Sequence, residues 1–212
     1  MGGARRMVGA DSRRGRRAAD LFARGEGDGA MSVAAMVGGV PVSVDEVDAR
    51  EQRLRDSAVA SSLPRPGTSE GRQLRRWLTQ LLVTERVVAT EAASRGLGAD
   101  GAPSEEELLP DMTARLEIGS ITAAALNQPL GRALFVDITG TVDVTDEDVA
   151  AYRARNPLRF ATTTEVAGHL RSAAQRRAFR LWLDARRAEL VELAPGYEHP
   201  GDPRQPDNTH RH

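Results

Sequence analysis

The longest helical pattern in the chain occupies residues 69–96, which run SEGRQLRRWLTQLLVTERVVATEAASRG. Apolar side chains recur there at steps of three and four residues, the spacing that places them on one face of a helix. The members of this stripe are Leu74, Trp77, Leu78, Leu81, Leu82, Val88 and Ala92. We expect Ser69 to cap this helix, Gly96 to end it and Trp77 to anchor the core, because aromatic side chains dominate small cores.

A small sheet is predicted from two distant parts of the chain. Residues 34–37 and 40–42 are apolar and flank Gly38-Gly39, a pair that tolerates the positive φ of a tight hairpin turn. Residues 190–193, Leu-Val-Glu-Leu, alternate like an edge strand. We expect this third segment to join the opening hairpin.

Further helices carry local signals at their starts. Ser43 and Ser104 each begin an S-x-x-E capping box, in which the hydroxyl and the glutamate satisfy free amide groups at a helix N-terminus. Thr145 precedes three carboxylates, which the helix dipole favours at that end. Pro110 is expected to break or kink its helix. The predicted helical ranges are 44 to about 57, 108–118, 121–126, 130–136 and 145–155, with a loop over 61–68.

The last predicted helix begins at Thr164 and combines an apolar stripe with many arginines. The stripe consists of Val166, Leu170, Ala174, Ala178, Leu181, Trp182 and Ala185. The arginines stand at positions 171, 176, 177, 180, 186 and 187. Charges opposite an apolar stripe are usually solvated, so we expect the stripe to face the core and the arginines to face water.

The composition predicts a mainly α-helical protein with a modest core. Hydrophobic residues make up 40% of the 212 residues and aromatic residues only 4%, so the core is built from Ala, Leu and Val. A chain of this length fits one domain with tails. We expect a disordered basic leader over residues 1–30, a helical domain over residues 31–194 and an extended tail over residues 195–212.

Charge and residue usage exclude several classes of function. The 29 basic and 30 acidic groups give a net charge of -1, which argues against nucleic acid as a partner. The chain has no cysteine, which excludes disulfides and thiolate catalysis. All basic residues are arginine, a bias typical of a high-GC bacterium. The sequence lacks an apolar run long enough to span a bilayer, so a cytoplasmic location without a membrane partner is expected.

Three stretches resemble the N-terminal chaperone module of SurA-like and PrsA-like peptidyl-prolyl isomerases. They are residues 37–47, VGGVPVSVDEV; residues 72–97, the long helix closing in EAASRGL; and residues 144–160, VTDEDVAAYRARNPLRF. In that family the last stretch leads into a parvulin domain. We expect none here, because Phe160 is followed almost at once by the last predicted helix. The resemblance implies a helical body closed by its own long C-terminal helix. It also implies a noncatalytic chaperone-like protein, without isomerase activity or cofactor, that binds a polypeptide client or partner protein.

The C-terminal histidines leave a second hypothesis open. His210 and His212 have the donor types that zinc, copper and nickel accept, and His199 or a carboxylate from Glu198, Asp202 or Asp207 would complete the set. His169 is a further candidate ligand. A structural wrap of the tail over the body is the alternative reading of the same segment. The tail is also similar to small proteins of high-GC bacterial polyketide pathways. The alternative function is therefore a metal-dependent or accessory enzyme of such a secondary-metabolite pathway.

Overall fold

A computed structural model describes residues 32–202 of the chain. These residues form eight α-helices and three β-strands, so the predicted mainly α-helical class with a small sheet is confirmed. The helices are α1 Val44–Arg55, α2 Ser69–Ser94, α3 Glu105–Leu108, α4 Met112–Ile118, α5 Ser120–Ala125, α6 Pro129–Thr139, α7 Asp146–Arg155 and α8 Thr163–Leu190. The strands are β1 Val33–Val37, β2 Val40–Ser43 and β3 Val191–Leu193.

The described residues divide into two compact units. Unit 1 contains residues 32–83 and 190–202, and unit 2 contains residues 84–189. The predicted single domain over residues 31–194 spans both units. The predicted basic leader, residues 1–30, and the end of the predicted tail, residues 203–212, lie outside the described part of the chain.

The sheet in unit 1 confirms the predicted hairpin and edge strand. Its strand order is β2-β1-β3, with antiparallel pairing on both sides of β1. Gly38 and Gly39 take φ values of +58° and +88°, as a two-residue hairpin turn of matching twist requires. Val37 pairs with Val40 across this turn and with Val191 of β3 on its other side.

The two helices of unit 1 start at hydroxyl caps. The capping box of Ser43 and Glu46 is present at α1, as predicted. The prediction that Ser69 caps α2 is wrong by one residue, because Thr68 Oγ1 accepts the hydrogen bond from the Gly71 amide at 3.1 Å. Two adjacent hydroxyl residues offered the same local signal, and the one that precedes the first helical residue takes the role. Trp77, predicted as a core anchor, is half-buried, whereas its neighbour Leu78 is fully buried.

Short helices and two long ones build unit 2. The break predicted near Pro110 is confirmed: α3 runs from Glu105 to Leu108, and Asp111 caps a separate helix α4 after Pro110. The core centres on Phe179 of α8, whose ring lies 5.1 Å from that of Phe135 on α6. The other fully buried apolar residues of unit 2 include Val87, Leu109, Ile118, Leu126, Leu134, Val166 and Leu183.

No helix among residues 32–202 is both long enough and apolar enough to cross a lipid bilayer.

Candidate functional site

An open groove of about 580 Å³ lies on unit 2, along the exposed side of α8. Glu117 of α4 lines one wall, and the other lining residues belong to α8: Ala173, Ala174, Arg177, Arg180 and Leu181. The groove exists because two alanines stand where larger side chains would fill the space. Leu181, at 57% exposure, extends the apolar lining toward solvent.

The predicted faces of α8 are partly reversed around this groove. Leu181 was expected in the core and is exposed, whereas Arg176 was expected in solvent and is 5% exposed. The buried guanidinium of Arg176 donates from Nε and Nη2 to the Glu117 carboxylate, at 3.0 Å and 2.8 Å. A buried arginine needs such a partner, since an unpaired charge away from water is costly.

This ion pair leaves the groove with a positive rim. The charge of Glu117 is matched by Arg176, and its backbone carbonyl accepts a hydrogen bond from Arg180 Nη1 at 3.1 Å. Arg177 and Arg180 are exposed, and neither has a carboxylate within salt-bridge distance among residues 32–202. The groove therefore combines a small apolar floor with two guanidinium groups available to a ligand.

An aromatic cluster surrounds His169 elsewhere in unit 2. The His169 ring lies 5.5 Å from the ring of Tyr152 and 5.1 Å from that of Phe160. Arg159 Nη1 donates to the Tyr152 hydroxyl at 2.8 Å, and that hydroxyl lies 3.3 Å from His169 Nε2. With the Arg159 proton directed at its oxygen, the hydroxyl is free to donate its own proton to an unprotonated Nε2.

The cluster favours a neutral imidazole. Burial lowers the pKa of His169, and the positive charge of Arg159 lowers it further. Two aromatic contacts and one hydrogen bond give this histidine a packing role, in which it links α7 and the residues after it to α8. From the sequence, His169 was predicted as a candidate metal ligand.

The four predicted metal-binding histidines are only partly covered by the structure. His169 belongs to unit 2, and His199 is an exposed residue of unit 1 whose Nδ1 accepts from the Gly201 amide at 3.0 Å. His210 and His212 lie outside the described residues. Within residues 32–202, no three His, Cys, Asp or Glu side chains group closely enough to hold a metal ion. The metal site remains a prediction that elemental analysis of untagged protein would test.

The described part of the predicted tail contacts unit 1. The carbonyl of Gly196 accepts from Arg76 Nε at 3.2 Å, and that of Tyr197 accepts from Gln80 Nε2 at 3.2 Å. Both donors are on α2 and are almost fully buried, with 4% and 1% exposure. The carbonyl groups of the first residues after β3 therefore accept hydrogen bonds from two side chains of α2 that are buried away from water.

The groove was missed at the sequence level, although a signal for it was present. The adjacent alanines 173 and 174 are small residues on a helix that carries long side chains at positions 176, 177, 180 and 181. The pattern predicts an irregular face on α8. It does not reveal which arginine is buried.

Comparison with known proteins gives one partial match. Residues 33–70 match the model of a family of unknown function, DUF7158. The matched stretch covers the hairpin, α1 and the first two residues of α2, and it contains none of the groove-lining residues. No curated protein and no solved structure matches the chain.

Proposed function

We propose that this protein is a noncatalytic, chaperone-like binder of polypeptide, and that the groove on α8 holds an extended segment of a client or partner. The observation that carries the proposal is the open groove itself, with alanines in its floor and a half-exposed leucine at its edge. Three stretches of the sequence resemble the chaperone module of SurA-like proteins. Such a module without a parvulin domain would act in the same way.

The dimensions of the groove suit a short stretch of extended chain. Along α8 the distance from Ala173 to Leu181 is about 12 Å at roughly 1.5 Å per residue. An extended peptide rises about 3.3 Å per residue, so about four of its residues would lie along the floor. A volume of about 580 Å³ accommodates several aliphatic side chains.

The chemistry of the lining supports binding rather than catalysis. The groove-lining residues include no hydroxyl, thiol or imidazole group that would act as a nucleophile or general base. The carboxylate of Glu117 is held by the guanidinium of Arg176 at 2.8 Å. Shallow apolar grooves bind peptides through side-chain burial and backbone contacts, and these need no reactive group.

Replacing Leu181 with serine tests the proposal. The probes are two labelled peptides of about eight residues, in which leucine alternates with glutamine in one and with glutamate in the other. We expect saturable binding of at least one peptide by fluorescence anisotropy. Because Leu181→Ser removes apolar surface worth about 1–1.5 kcal/mol on burial, it should weaken that binding about tenfold.

Leu158→Ser is the matched control, since Leu158 is 98% exposed in the same unit and does not line the groove. The Leu158→Ser variant should bind the peptide with the same affinity as the wild type. Failure of both peptides to bind the wild type would overturn the proposal. Equal weakening by the two serine variants would place the binding site elsewhere.

A further inference from the structure

Building on the proposed function, we infer that the groove selects client segments that carry carboxylates beside aliphatic side chains. The partner is therefore an acidic-apolar polypeptide, and Arg177 and Arg180 are the residues that determine this specificity. The apolar floor supplies affinity for aliphatic side chains, as described above, and the rim supplies the discrimination by charge.

The charge balance of the groove is the first argument. Glu117 is the acidic residue of the lining, and its carboxylate already accepts two hydrogen bonds from the buried Arg176. The two rim arginines have no acidic partner among residues 32–202, so their charge is open to a ligand. A guanidinium binds a carboxylate through two parallel hydrogen bonds, which adds geometric selectivity to the attraction.

The spacing of the arginines is the second argument. Arg177 and Arg180 stand three residues apart on α8, which places their Cβ atoms about 5–6 Å apart. In an extended peptide, alternate side chains on one face are about 7 Å apart. Flexible arginine side chains bridge this small difference. A segment with a carboxylate at every second residue therefore fits both arginines.

Other occupants fit the groove less well. Residues 1–31 contain seven arginines against four carboxylates, and residues 203–212 contain two arginines against one, so both ends of this chain carry the charge of the rim. The groove-lining residues include no aromatic ring on which a nucleobase would stack. A second copy of the chain would have to present an acidic segment such as residues 105–108, where Glu105 already pairs with Arg115 and Glu107 completes the capping box of Ser104.

The experiment compares the two peptides on the wild type and on a double variant, Arg177→Gln with Arg180→Gln. We expect the leucine–glutamate peptide to bind about tenfold tighter than the leucine–glutamine peptide at low salt. The double variant should lose this preference, so that the ratio of its affinities for the two peptides falls to about one. Raising the salt concentration should weaken only the acidic peptide, because exposed ion pairs are screened.

Arg155→Gln is the control variant, because Arg155 is also exposed in unit 2 and lies outside the groove. It removes a positive charge and should leave the preference intact. Circular dichroism checks that all variants are folded.

The outcomes separate the inference from the proposed function. Equal binding of the two peptides would overturn the charge preference and leave polypeptide binding in place. Absence of binding to either peptide would overturn both. If light scattering showed that the wild type self-associates and the double variant does not, the occupant would be a second copy, and the inference would be wrong. A preference for an oligonucleotide of the same charge over the acidic peptide would also overturn it.

Discussion

At the scale of single residues, the chain places arginines and carboxylates together in protected positions. In unit 1, the carboxylate of Glu51 accepts from Arg55 Nη2 at 2.6 Å and from Arg75 Nη1 at 2.9 Å. Arg75 also contacts Asp48 at 2.6 Å. Burial would raise the pKa of Glu51, but the hydrogen bonds and charges of Arg55 and Arg75 outweigh it and lower that pKa. This cluster links α1 to α2.

Replacing Glu51 with glutamine tests the energetic role of the cluster. Two guanidinium groups lose a charged acceptor, so we expect the free energy of unfolding to fall by about 1–2 kcal/mol near neutral pH. Because the pKa of Glu51 is lower in the folded state, its contribution is full above about pH 4.3 and is lost as the pH falls through the lowered value. The difference between the wild type and the variant in urea unfolding should therefore shrink as the pH falls below about 4.3.

Glu70→Gln is the control, since Glu70 is an exposed residue of the same unit. It should change stability by less than about 0.5 kcal/mol. A loss as large as that of Glu51→Gln would mean that general charge balance, rather than the cluster, stabilises the unit. A difference between wild type and Glu51→Gln that did not shrink as the pH fell below about 4.3 would also contradict the mechanism.

At the scale of elements, helix ends and close helix contacts organise unit 2. Gly119, with a φ of +85°, separates α4 from α5, and Pro129 starts α6. Gly131 in the first turn of α6 is a point of close approach: a Cβ atom built there would lie 2.1 Å from the carbonyl oxygen of Ala125 at the end of α5. Only a residue without a side chain fits between these two helices.

A pair of glycine-to-alanine variants tests this contact. Gly131→Ala must displace backbone, so we expect it to lower the free energy of unfolding by about 2–3 kcal/mol. Gly168→Ala, within α8, meets no atom within 4 Å. It should stabilise the protein by about 0.5–1 kcal/mol, because alanine has the higher helix propensity. Thermal unfolding measures both, and stabilisation by both substitutions would show that α5 and α6 are not held closely together.

At the scale of the whole molecule, the described chain leaves unit 1 within α2 and returns to it at the end of α8. Strand β3 then pairs with β1, and the amide of Ala194 donates to the carbonyl of Ala34 at 3.0 Å. Residues 196 and 197 accept from Arg76 and Gln80 on α2. Unit 1 is therefore completed by residues that are more than one hundred positions away in sequence.

Two shortened chains test this completion. A chain that ends at Leu193 keeps β3 but loses the carbonyl partners of Arg76 and Gln80. We expect its unfolding free energy to fall by about 2–4 kcal/mol, since several hydrogen bonds to nearly buried donors are lost. A chain that ends at Asp202 keeps these contacts and should match the full-length protein in urea unfolding. If both chains were equally destabilised, residues 203–212 would be the stabilising part.

Much of the secondary structure follows from local signals, because caps and turns act within about four residues. The Gly38-Gly39 turn, the capping boxes at Ser43 and Ser104 and the helix start at Thr145 were predicted correctly from such signals. An error arose where two adjacent residues offered the same signal, as with Thr68 and Ser69. The break expected near Pro110 is present, and the cap that Asp111 provides for the next helix was not predicted.

The groove depends on long-range contacts. Periodicity along α8 places Leu181 inside and Arg176 outside, yet the folded protein does the opposite. The partner of Arg176 is Glu117, which lies 59 residues earlier in the chain. Helical propensity and capping are properties of neighbouring residues and are visible in the sequence. The burial of one arginine among six depends on a carboxylate that only folding brings within hydrogen-bonding distance.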